Sequence, residues 1–317
     1  MTAISVVVLN WNGQALLATS LASLQVQTFD DFEVILVDNG STDGSPGWTR
    51  AHFPWVKVVR LDRNYGFCEG NNLGIAAASG RYVVLLNNDA EAHPDFLGAL
   101  FEAIEAHPDV GLCASRMLRY DDRSRVDSCG IGLLPFGGGY PIGAGKINSS
   151  DFDRPRYVFG ACAGAALYRR SMLDKIGAFD RDFFSHVEDV DLSWRAQHAG
   201  YRCIYVPGAI VYHMGGATSR RVSEQVLYRI QRNLTWTYLK NMPSTLLIAL
   251  SPLHAVYSLY WILRAARQGQ AVTVWKAKRD ALYGWPSLKE KRRLVQAGRR
   301  LSVLSLLKLM DWCRVCM

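Results

Sequence analysis

The sequence predicts an α/β fold in which a mostly parallel β-sheet carries helices on both faces. The first observation is that short β-branched runs alternate with segments whose leucines recur at helical spacing. Predicted strands cover residues 4–9, 32–37, 56–60 and 82–86, and predicted helices cover 14–26, 69–78 and 94–107. The second is that the strands are continuous apolar runs, which is typical of strands buried on both faces. Parallel strands need long, usually helical crossovers, so this alternation indicates a helix-covered sheet.

The second half of the chain is less regular. Residues 121–156 are rich in glycine, serine and aspartate, and we predict a long loop there. A strand at 166–169, a polar helix at about 189–199 and a strand near Ile204 follow. We therefore expect regular structure to resume only after this loop.

The composition is that of an ordinary globular protein: 49% of its 317 residues are hydrophobic and 20% are charged. That balance excludes an intrinsically disordered chain. The seven cysteines are odd in number and scattered through apolar stretches, which predicts reduced, packed thiols in a cytosolic protein. The first residues lead directly into a predicted strand without a basic segment ahead of an apolar one, so we expect no secretion signal.

Positive charge is concentrated at the C-terminus. Residues 264–317 hold 13 basic and three acidic side chains, whereas the rest of the chain has a small net negative charge. The basic segment follows residues 245–263, which contain no Asp, Glu, Lys or Arg. As one helix these 19 residues would measure about 28 Å, barely the roughly 30 Å of a bilayer core. The stretch fits an interfacial or re-entrant segment, a true span or a packed helix, and we expect the first.

A basic tail can face either nucleic acid or anionic lipid. The apolar stretch beside this tail favours an anionic membrane surface, with no nucleic acid as partner. We therefore divide the chain into a main domain at residues 1–240 and a helical, membrane-associating region at 241–317.

Three polar clusters directly follow predicted strands, at residues 10–13, 38–45 and 87–89. In open α/β sheets ligands bind beyond the carboxyl ends of the strands, so we expect a site there. Asp89 could hold a divalent cation against a diphosphate, because hard cations prefer oxygen ligands. The alternative is a turn in which Asn and Asp side chains bond to their own backbone.

An acidic cluster stands at the start of the predicted polar helix. Glu188, Asp189 and Asp191 lie within four residues there, where the helix dipole favours anions. Carboxylates this close repel one another, which favours a catalytic role: Glu188 and Asp189 are candidates for a general base that takes a proton from a hydroxyl. Helix capping is the alternative, and for Asp191 we expect an ion pair with Arg195, four residues on.

Two further segments could contact a ligand. His213 follows the strand near Ile204 and precedes a glycine pair, so it is either a metal or phosphate ligand or a structural histidine. Residues 63–74 are rich in glycine, which lets the backbone approach a ligand closely. Their glycine order does not match the dinucleotide fingerprint, which argues against a nucleotide-dependent oxidoreductase on a related sheet.

Five segments occur in the order that is typical of one enzyme family: residues 7–12, 37–44, 64–74, 86–89 and 188–195. With them, residues 2–240 resemble glycosyltransferase family 2. The resemblance implies a GT-A type, Rossmann-like catalytic domain at residues 1–240, followed by the membrane-associated helical tail.

The resemblance also assigns roles to individual residues. Asp38 would bind the base of the nucleotide, and Asp189 would be the catalytic base with Glu188 as its neighbour. Asp89 would bind Mg²⁺ or Mn²⁺, helped by His213, because the family usually has Asp-x-Asp where this chain begins with Asn87. The other residues expected along the nucleotide sugar are Asn10, Asn12, Asn64, Gly70, Asn72 and Asn88.

The implied activity is transfer of a sugar from a nucleotide diphosphate to an acceptor hydroxyl, with inversion at the anomeric carbon. The motifs are similar to those of rhamnosyltransferase-like members, which implies dTDP-L-rhamnose as donor and a lipid-linked or polysaccharide acceptor in bacterial cell-surface glycan synthesis. A UDP-hexose or UDP-N-acetylhexosamine donor is the alternative. The expected location is the cytoplasmic face of the bacterial inner membrane, peripheral or monotopic. A nucleotide-dependent oxidoreductase and a non-catalytic membrane-binding module are alternatives of another class.

Overall fold

The computed structural model describes residues 2–215 and 223–316. In chain order its strands are β1 (Ile4–Asn10), β2 (Phe32–Asp38), β3 (Lys57–Arg60), β4 (Tyr82–Asn87), β5 (Ala90–Ala92), β6 (Val110–Arg119), β7 (Val126–Ser128), β8 (Ile131–Leu133), β9 (Gly139–Pro141), β10 (Arg156–Val158), β11 (Ala165–Arg169) and β12 (Arg202–His213). The helices are α1 (Gln14–Gln25), α2 (Ser45–His52), α3 (Gly66–Ala77), α4 (Phe96–Ala106), α5 (Arg170–Ile176), α6 (Glu188–His198), α7 (Glu224–Asn241), α8 (Ser244–Ala249), α9 (Ser251–Ala266), α10 (Ala271–Tyr283), α11 (Trp285–Ala297) and α12 (Val303–Leu309).

Ten strands form one sheet whose main path runs β10-β12-β6-β11-β4-β1-β2-β3, with β5 added beside β12 and β7 beside β6. The pairs β1–β2, β1–β4, β2–β3 and β6–β12 are parallel. The first three join strands that the sequence predicts, whereas β6 was not predicted. Strand β11 is antiparallel to both β4 and β6 and makes the sheet mixed. Because β1, β2, β4, β6 and β12 therefore point the same way, their carboxyl ends meet at one edge.

The two faces of the sheet are covered by different helices. Alternate residues of a strand point to opposite faces, so Val6 and Val8 pack with α1 and α4, while Val7 packs with α3, α5 and α6. Gly74 lets α3 lie close to the strands: a Cβ there would be 2.8 Å from Val37 and would overlap Val7. Both faces are thus buried, which explains the continuous apolar strands in the sequence.

The loop predicted at residues 121–156 is wrong as stated. That segment contains β7, β8 and β9, and β10 begins at its end. Each of these strands has only three residues, too few for a period of two to stand out from the background. The ten-residue strand β6 near the middle of the sheet also has no clear pattern, because it is buried almost throughout and includes Ser115 and Arg116.

The C-terminal helices pack against the main domain. Helix α7 contacts α10 and α11, and α11 also contacts α6. On α9, the ring of Tyr257 stacks on Phe136 with centroids 4.0 Å apart, and His254 stacks on Tyr238 at 4.0 Å. Beyond α12, the Asp311 amide donates to the Leu133 carbonyl at 2.8 Å. Within the described residues, 2–215 and 223–316, no helix has the length and hydropathy needed to cross a bilayer.

Part of the basic charge of the tail is used inside the protein. Lys291 forms ion pairs with Asp180 and Asp182. Arg292 is buried, and its guanidinium donates to the carbonyls of Leu239 at 2.7 Å and Met242 at 2.6 Å, where α7 ends. These side chains hold α11 onto the main domain. Fewer positive charges are therefore available to a lipid surface than the net charge of the segment suggests.

Candidate active site

Asp38 ends β2 beside Asn10, which ends β1. Its side chain is fully buried, and one carboxylate oxygen, Oδ2, accepts from the Ser41 amide at 3.3 Å and lies 3.9 Å from Nε of Arg60. The other oxygen, Oδ1, has no hydrogen-bond partner among the described residues. A buried acceptor without a partner is costly unless a ligand satisfies it, so Asp38 is well placed to accept an N–H from a bound base.

The exits of β1, β2 and β4 are joined by side-chain amides. Asn88 donates to Oδ1 of Asn10 at 2.8 Å. Asn12 lies in the left-handed region at φ 49°. Its side-chain oxygen accepts from the Thr42 backbone N–H at 2.8 Å, and its own backbone N–H donates to Oγ of Ser41 at 2.9 Å. The fold therefore brings Asn10, Asn12, Asp38 and Asn88 together as predicted from strand ends alone.

Asn64 lies at the start of α3, next to the same edge. Its side-chain oxygen accepts from the Gly66 amide at 2.8 Å and from Nδ2 of Asn39 at 3.1 Å. Asn39 directly follows Asp38 in the chain, so Asn64 is joined through Asn39 to the end of β2 where Asp38 lies.

Gly70 and Asn72 have contacts within the protein that the motif does not predict. A Cβ on Gly70 would lie 2.6 Å from the Leu9 side chain, so glycine is needed for helix packing. The Asn72 side-chain amide makes two bonds to the backbone of Phe179, one from its nitrogen to the carbonyl and one from the Phe179 N–H to its oxygen, both 2.9 Å. Their contact with a nucleotide sugar stays a prediction.

Asp89 and His213 meet at the carboxyl ends of β4 and β12. His213 Nε2 lies 3.2 Å from Asp89 Oδ1, and Nδ1 lies 2.9 Å from Asp127 Oδ2. Burial by itself would lower the pKa of His213, but the hydrogen bonds to Asp127 and Asp89 outweigh it and raise that pKa to about 10. Asp127 was missed because it lies in the segment predicted as a loop and belongs to no motif.

The residues present fit a divalent cation, which would take the place of the proton on His213 Nε2. Two ligands bound at about 2.1 Å and at right angles stand about 3 Å apart, close to the separation of Asp89 Oδ1 and His213 Nε2. A carboxylate on the far nitrogen of a ligating histidine orients its ring, as Asp127 does here. Among the described residues no group of three or more metal-type side chains is arranged to hold an ion.

Asp189 stands in the first turn of α6, after a strained segment. Phe184, His186 and Val187 have φ of 64°, 68° and 70°, a region that is rare for non-glycine residues and worst for a β-branched one. The buried amide of Asn233 on α7 holds this turn by donating to three carbonyls, those of residues 183, 185 and 186, at 3.1, 3.0 and 2.8 Å. Strain held this firmly is typical of functional sites.

The three carboxylates of α6 have different environments. Burial raises the pKa of Asp189, against the backbone amides of Val190 and Ala163 that favour its charge. Burial and the neighbouring charge of Asp189 raise the pKa of Glu188 to about 8. The two neighbouring carboxyl groups therefore disfavour being charged together, and Glu188 is the one that holds its proton at pH 7.

Asp191 is structural, as predicted. Burial would raise its pKa, but Lys240 and Arg195 hold it below the ordinary value. It is fully buried, and its Oδ2 accepts from Arg195 at 2.9 Å and from Lys240 at 3.0 Å.

The loop 160–164 connects the two ends of the site. Its Ala163 amide donates to Asp189 Oδ2 at 3.4 Å, and its Gly164 carbonyl accepts from the Asn87 amide at 2.8 Å, two residues before Asp89. Burial, then the charges of Asp189 and Asp127, raise the pKa of the Cys162 thiol, so both carboxylates act on this loop. Asp38, Asp89 and Asp189 thus lie along one continuous set of contacts.

A mixed sheet with this strand order, with the Asp38 carboxylate and the Asp89–His213 pair at one edge, is the architecture of a GT-A glycosyltransferase. A mannosyltransferase from Pyrobaculum calidifontis, solved in complex with GDP-mannose and Mn²⁺, matches with a TM-score of 0.57 and 19% identity, covering 97% of this chain and 88% of that chain. The protein therefore has the GT-A fold.

The chain belongs to glycosyltransferase family 2. The model of the family described as Glycosyl transferase family 2 matches residues 5–177, a range that includes Asp38 and Asp89 but ends before Asp189. An N-acetylglucosaminyl-diphospho-decaprenol L-rhamnosyltransferase of Mycobacterium tuberculosis (strain ATCC 25618 / H37Rv) is 29% identical over 226 residues, 63% of this chain and 72% of the relative. The succinoglycan biosynthesis protein ExoO of Rhizobium meliloti (strain 1021) is 33% identical over 229 residues, 69% of this chain and 63% of the relative.

Proposed function

We propose that this glycosyltransferase is inverting and divalent-cation-dependent, and that it transfers L-rhamnose from dTDP-L-rhamnose to a lipid-linked acceptor in bacterial cell-surface glycan synthesis. The observation that carries the proposal is the line of contacts that joins the free Oδ1 of Asp38, the Asp89–His213 pair and the half-buried Asp189. In this proposal Asp38 binds the base of the donor, the Asp89–His213 pair lies at its diphosphate, and Asp189 lies at the reacting hydroxyl of the acceptor.

Asp189 supplies the proton acceptor for the reaction. As the acceptor oxygen attacks the anomeric carbon, Asp189 takes its proton, and the bond between that carbon and the diphosphate oxygen breaks with its electrons going to the diphosphate. One displacement inverts the configuration. Glu188, neutral at pH 7 because its pKa is raised to about 8, adds no second charge that would repel the leaving diphosphate.

The donor end uses Asp38 to accept a hydrogen bond from the base. Thymine and uracil each carry a ring N–H that a carboxylate oxygen can accept, so the contact fits dTDP or UDP donors, although guanine carries such an N–H as well. When bound between Asp89 and His213, Mg²⁺ or Mn²⁺ would neutralise charge on the diphosphate. The named activity of the mycobacterial relative supports rhamnose and a polyprenyl-diphosphate acceptor, and a UDP-hexose or UDP-N-acetylhexosamine donor remains the alternative.

We also propose that the protein docks at the cytoplasmic face of the bacterial inner membrane as a peripheral or monotopic protein. The outward side of α9 exposes Val256, Leu259, Tyr260 and Leu263, each more than half accessible. Residues spaced by three and four lie on one side of a helix, so they form one apolar surface, which we call the outer stripe. Apolar side chains beside basic ones bind anionic lipid surfaces, and Arg264 and Arg267 follow the stripe in the chain.

The test is a thermal-shift panel on the purified chain followed by a transfer assay. With Mn²⁺ present, dTDP-L-rhamnose should raise the melting temperature more than UDP-glucose, UDP-N-acetylglucosamine or GDP-mannose, because a ligand that binds only the folded state stabilises it. EDTA or Asp89→Ala should remove the shift. NMR of the product from a polyprenyl-diphosphate N-acetylglucosamine acceptor should show the inverted linkage.

Each alternative predicts a different result. A shift with NAD and none with any nucleotide sugar would support an oxidoreductase. Vesicle binding without turnover of any donor would support a non-catalytic membrane module. Either result would overturn the proposal.

A further inference from the structure

A cavity of about 390 Å³ lies against Asp189. Its volume is within the roughly 300–1,000 Å³ of small-molecule sites. Its wall includes none of Asp38, Asp89 and His213. A group that enters this cavity lies beside Asp189, where the hydroxyl of the second substrate of a transferase must give up its proton.

The lining of the cavity contains both polar and apolar side chains. Asp189, Ser128 and Tyr140 can face the hydroxyls of a sugar. Apolar lining comes from Ile230 and Leu234 of α7 and from Tyr257 and Trp261 of α9. An acceptor that fits this site carries hydroxyls next to an apolar group.

The C-terminal region therefore supplies part of the catalytic cavity. Tyr257 is held in place by its stacking on Phe136, and its ring meets that of Trp261 edge-on with centroids 6.3 Å apart. The aromatic pair is thus fixed to the main domain before any ligand binds, and a pre-ordered wall costs less entropy on binding than a mobile one.

The two sides of α9 point to the source of the acceptor. One side lines the cavity with Tyr257 and Trp261, and the other carries the outer stripe. An α-helix with its side chains is only about 10–12 Å across. A molecule anchored in a lipid surface against the outer stripe could therefore place its sugar at Asp189 by passing around a single helix.

We propose that this cavity is the acceptor site, that it takes the sugar of a glycolipid together with the start of its apolar chain, and that Tyr257 and Trp261 determine this specificity. The inference rests on the proposed glycosyltransferase function. It assigns to the C-terminal helices a role in recognising the acceptor in addition to membrane docking.

The experiment compares acceptor binding by full-length wild type and Trp261→Ala. The probe is N-acetylglucosaminyl diphosphate carrying a farnesyl chain, and free N-acetylglucosamine is the soluble comparison; binding is measured by calorimetry in detergent. Loss of Trp261 should weaken farnesylated-probe binding about tenfold or more, since buried tryptophans are frequent hot spots. The donor-induced thermal shift with Mn²⁺ should stay unchanged.

Two further variants keep the result interpretable. Ile230→Ala truncates the α7 side of the same wall and should weaken probe binding in the same way. It replaces Trp261→Ala as the test if that variant does not fold. Trp55→Ala removes an exposed tryptophan on the loop before β3, outside the cavity, and should leave probe binding unchanged.

The outcomes separate this inference from the proposed function. Unchanged probe affinity in both Trp261→Ala and Ile230→Ala overturns the acceptor site. Equal affinity of wild type for the farnesylated probe and for the free sugar also overturns it, because the site would then take a water-soluble glycan. Absence of donor turnover with intact, Trp261-dependent probe binding contradicts the proposed function and supports the glycolipid site.

Discussion

Glu188 and Asp189 are adjacent residues whose carboxyl groups both have raised pKa values. Burial raises the pKa of both, and the charge of Asp189 raises that of Glu188 further, to about 8. Two like charges this close cannot both be stable in a low-dielectric site. Glu188 is therefore neutral at pH 7, and in the proposed mechanism it adds no charge beside the base Asp189.

This arrangement predicts opposite outcomes for two isosteric substitutions. Asp189→Asn removes the base and should lower transfer by roughly 10²–10⁴-fold while leaving donor binding intact. Glu188→Gln copies a carboxylic acid that is already neutral and should stay within about threefold of wild type at pH 7. Initial rates with saturating donor and acceptor measure both.

The pH profile tests the same assignment. The base works only when ionised, so activity should rise with pH through a pKa above the ordinary 3.8 of an aspartate. Above pH 8 wild-type Glu188 loses its proton, and any fall in kcat/KM there should disappear in Glu188→Gln. If Glu188→Gln were as inactive as Asp189→Asn, the division of roles between the two would be wrong.

Asn233 is a positioning residue for the base. Asn233→Ala would leave the carbonyls of Ser185 and His186 without the donor that holds the strained turn, at a cost of about 1–3 kcal/mol. Because a 1 Å displacement of a catalytic group can cost about 10²-fold, kcat should fall by at least about tenfold with the donor dissociation constant unchanged.

Thr235→Ala is the matched control for Asn233→Ala. Thr235 is also buried on α7, but it bonds to Gln231 and Lys278 and not to the turn. It should lower the melting temperature without lowering kcat at permissive temperature. A similar kcat loss in both variants would mean that Asn233 acts only through stability.

The placement of single residues was predictable where a motif put them at a strand or helix end. The positions of Asp38 and Asp89 at one edge of the sheet were predicted in this way, because parallel strands end together there, and Asp189 was predicted at the start of a helix. Asp127 and Asn233 were not predicted, because each has its partner at least 47 residues away and neither stands in a recognisable local pattern. The bonds of Asn72 to Phe179 could not be predicted, because the sequence does not place that backbone beside it.

At the scale of elements, a buried ion network joins the helices around the base. Lys240 of α7 bridges Asp191 of α6 at 3.0 Å and Asp180 at 2.7 Å, and Lys291 of α11 bonds to the same Asp180. Burial would raise the pKa of Asp180, but Lys240 and Lys291 hold it below its ordinary value of 3.8. The network therefore depends on every member being charged.

Asp180→Asn should destabilise the protein by about 3 kcal/mol at pH 7, because it removes a buried carboxylate and leaves Asp191 to balance the charges of both Lys240 and Arg195. A carboxylate with a lowered folded-state pKa stabilises above its unfolded pKa, here near 3.8, and that stability is lost as pH falls through the folded value. The gap between wild type and variant should thus be full at pH 7 and shrink below about pH 4. Urea denaturation at several pH values measures it.

Glu290→Gln provides the comparison for an exposed pair. Glu290 bonds to Arg293 on the surface of α11, and such pairs contribute about 0–1 kcal/mol. Equal destabilisation by the two substitutions would contradict a special role for the buried network.

Element prediction succeeded where the hydrophobic period was long and clean. Helix α1 was predicted at residues 14–26 and is Gln14–Gln25, and the predicted strand at 4–9 is β1 at Ile4–Asn10. The sequence could not show which side of the apolar stretch 245–263 packs against the protein, because α9 carries apolar side chains both on its packed side and on its exposed side. Only the position of the main domain decides which side is which.

At the scale of the whole molecule, the C-terminal region is integrated into the fold. Arg292 caps the end of α7, and the Arg300 amide donates to the His198 carbonyl at 2.6 Å. Deletion of residues 264–317 would remove these bonds and the cover over α7, and so would disturb the catalytic domain as well as any membrane contact. Point substitutions on the outer stripe are the cleaner test of docking.

Leu259→Ser with Leu263→Ser should reduce binding to vesicles of phosphatidylglycerol and phosphatidylethanolamine by at least about tenfold. Burying one leucine contributes about 1.5–3 kcal/mol, so even partial insertion of two exceeds the 1.4 kcal/mol that corresponds to a tenfold change. Transfer to the farnesylated acceptor in detergent should stay at the wild-type rate, since the stripe faces away from Asp189. Val26→Ser with Ile147→Ser removes two equally exposed apolar side chains elsewhere on the surface and should not change sedimentation with vesicles. Equal loss of sedimentation in the two double variants would show that general surface hydrophobicity, and not α9, carries the protein to the membrane.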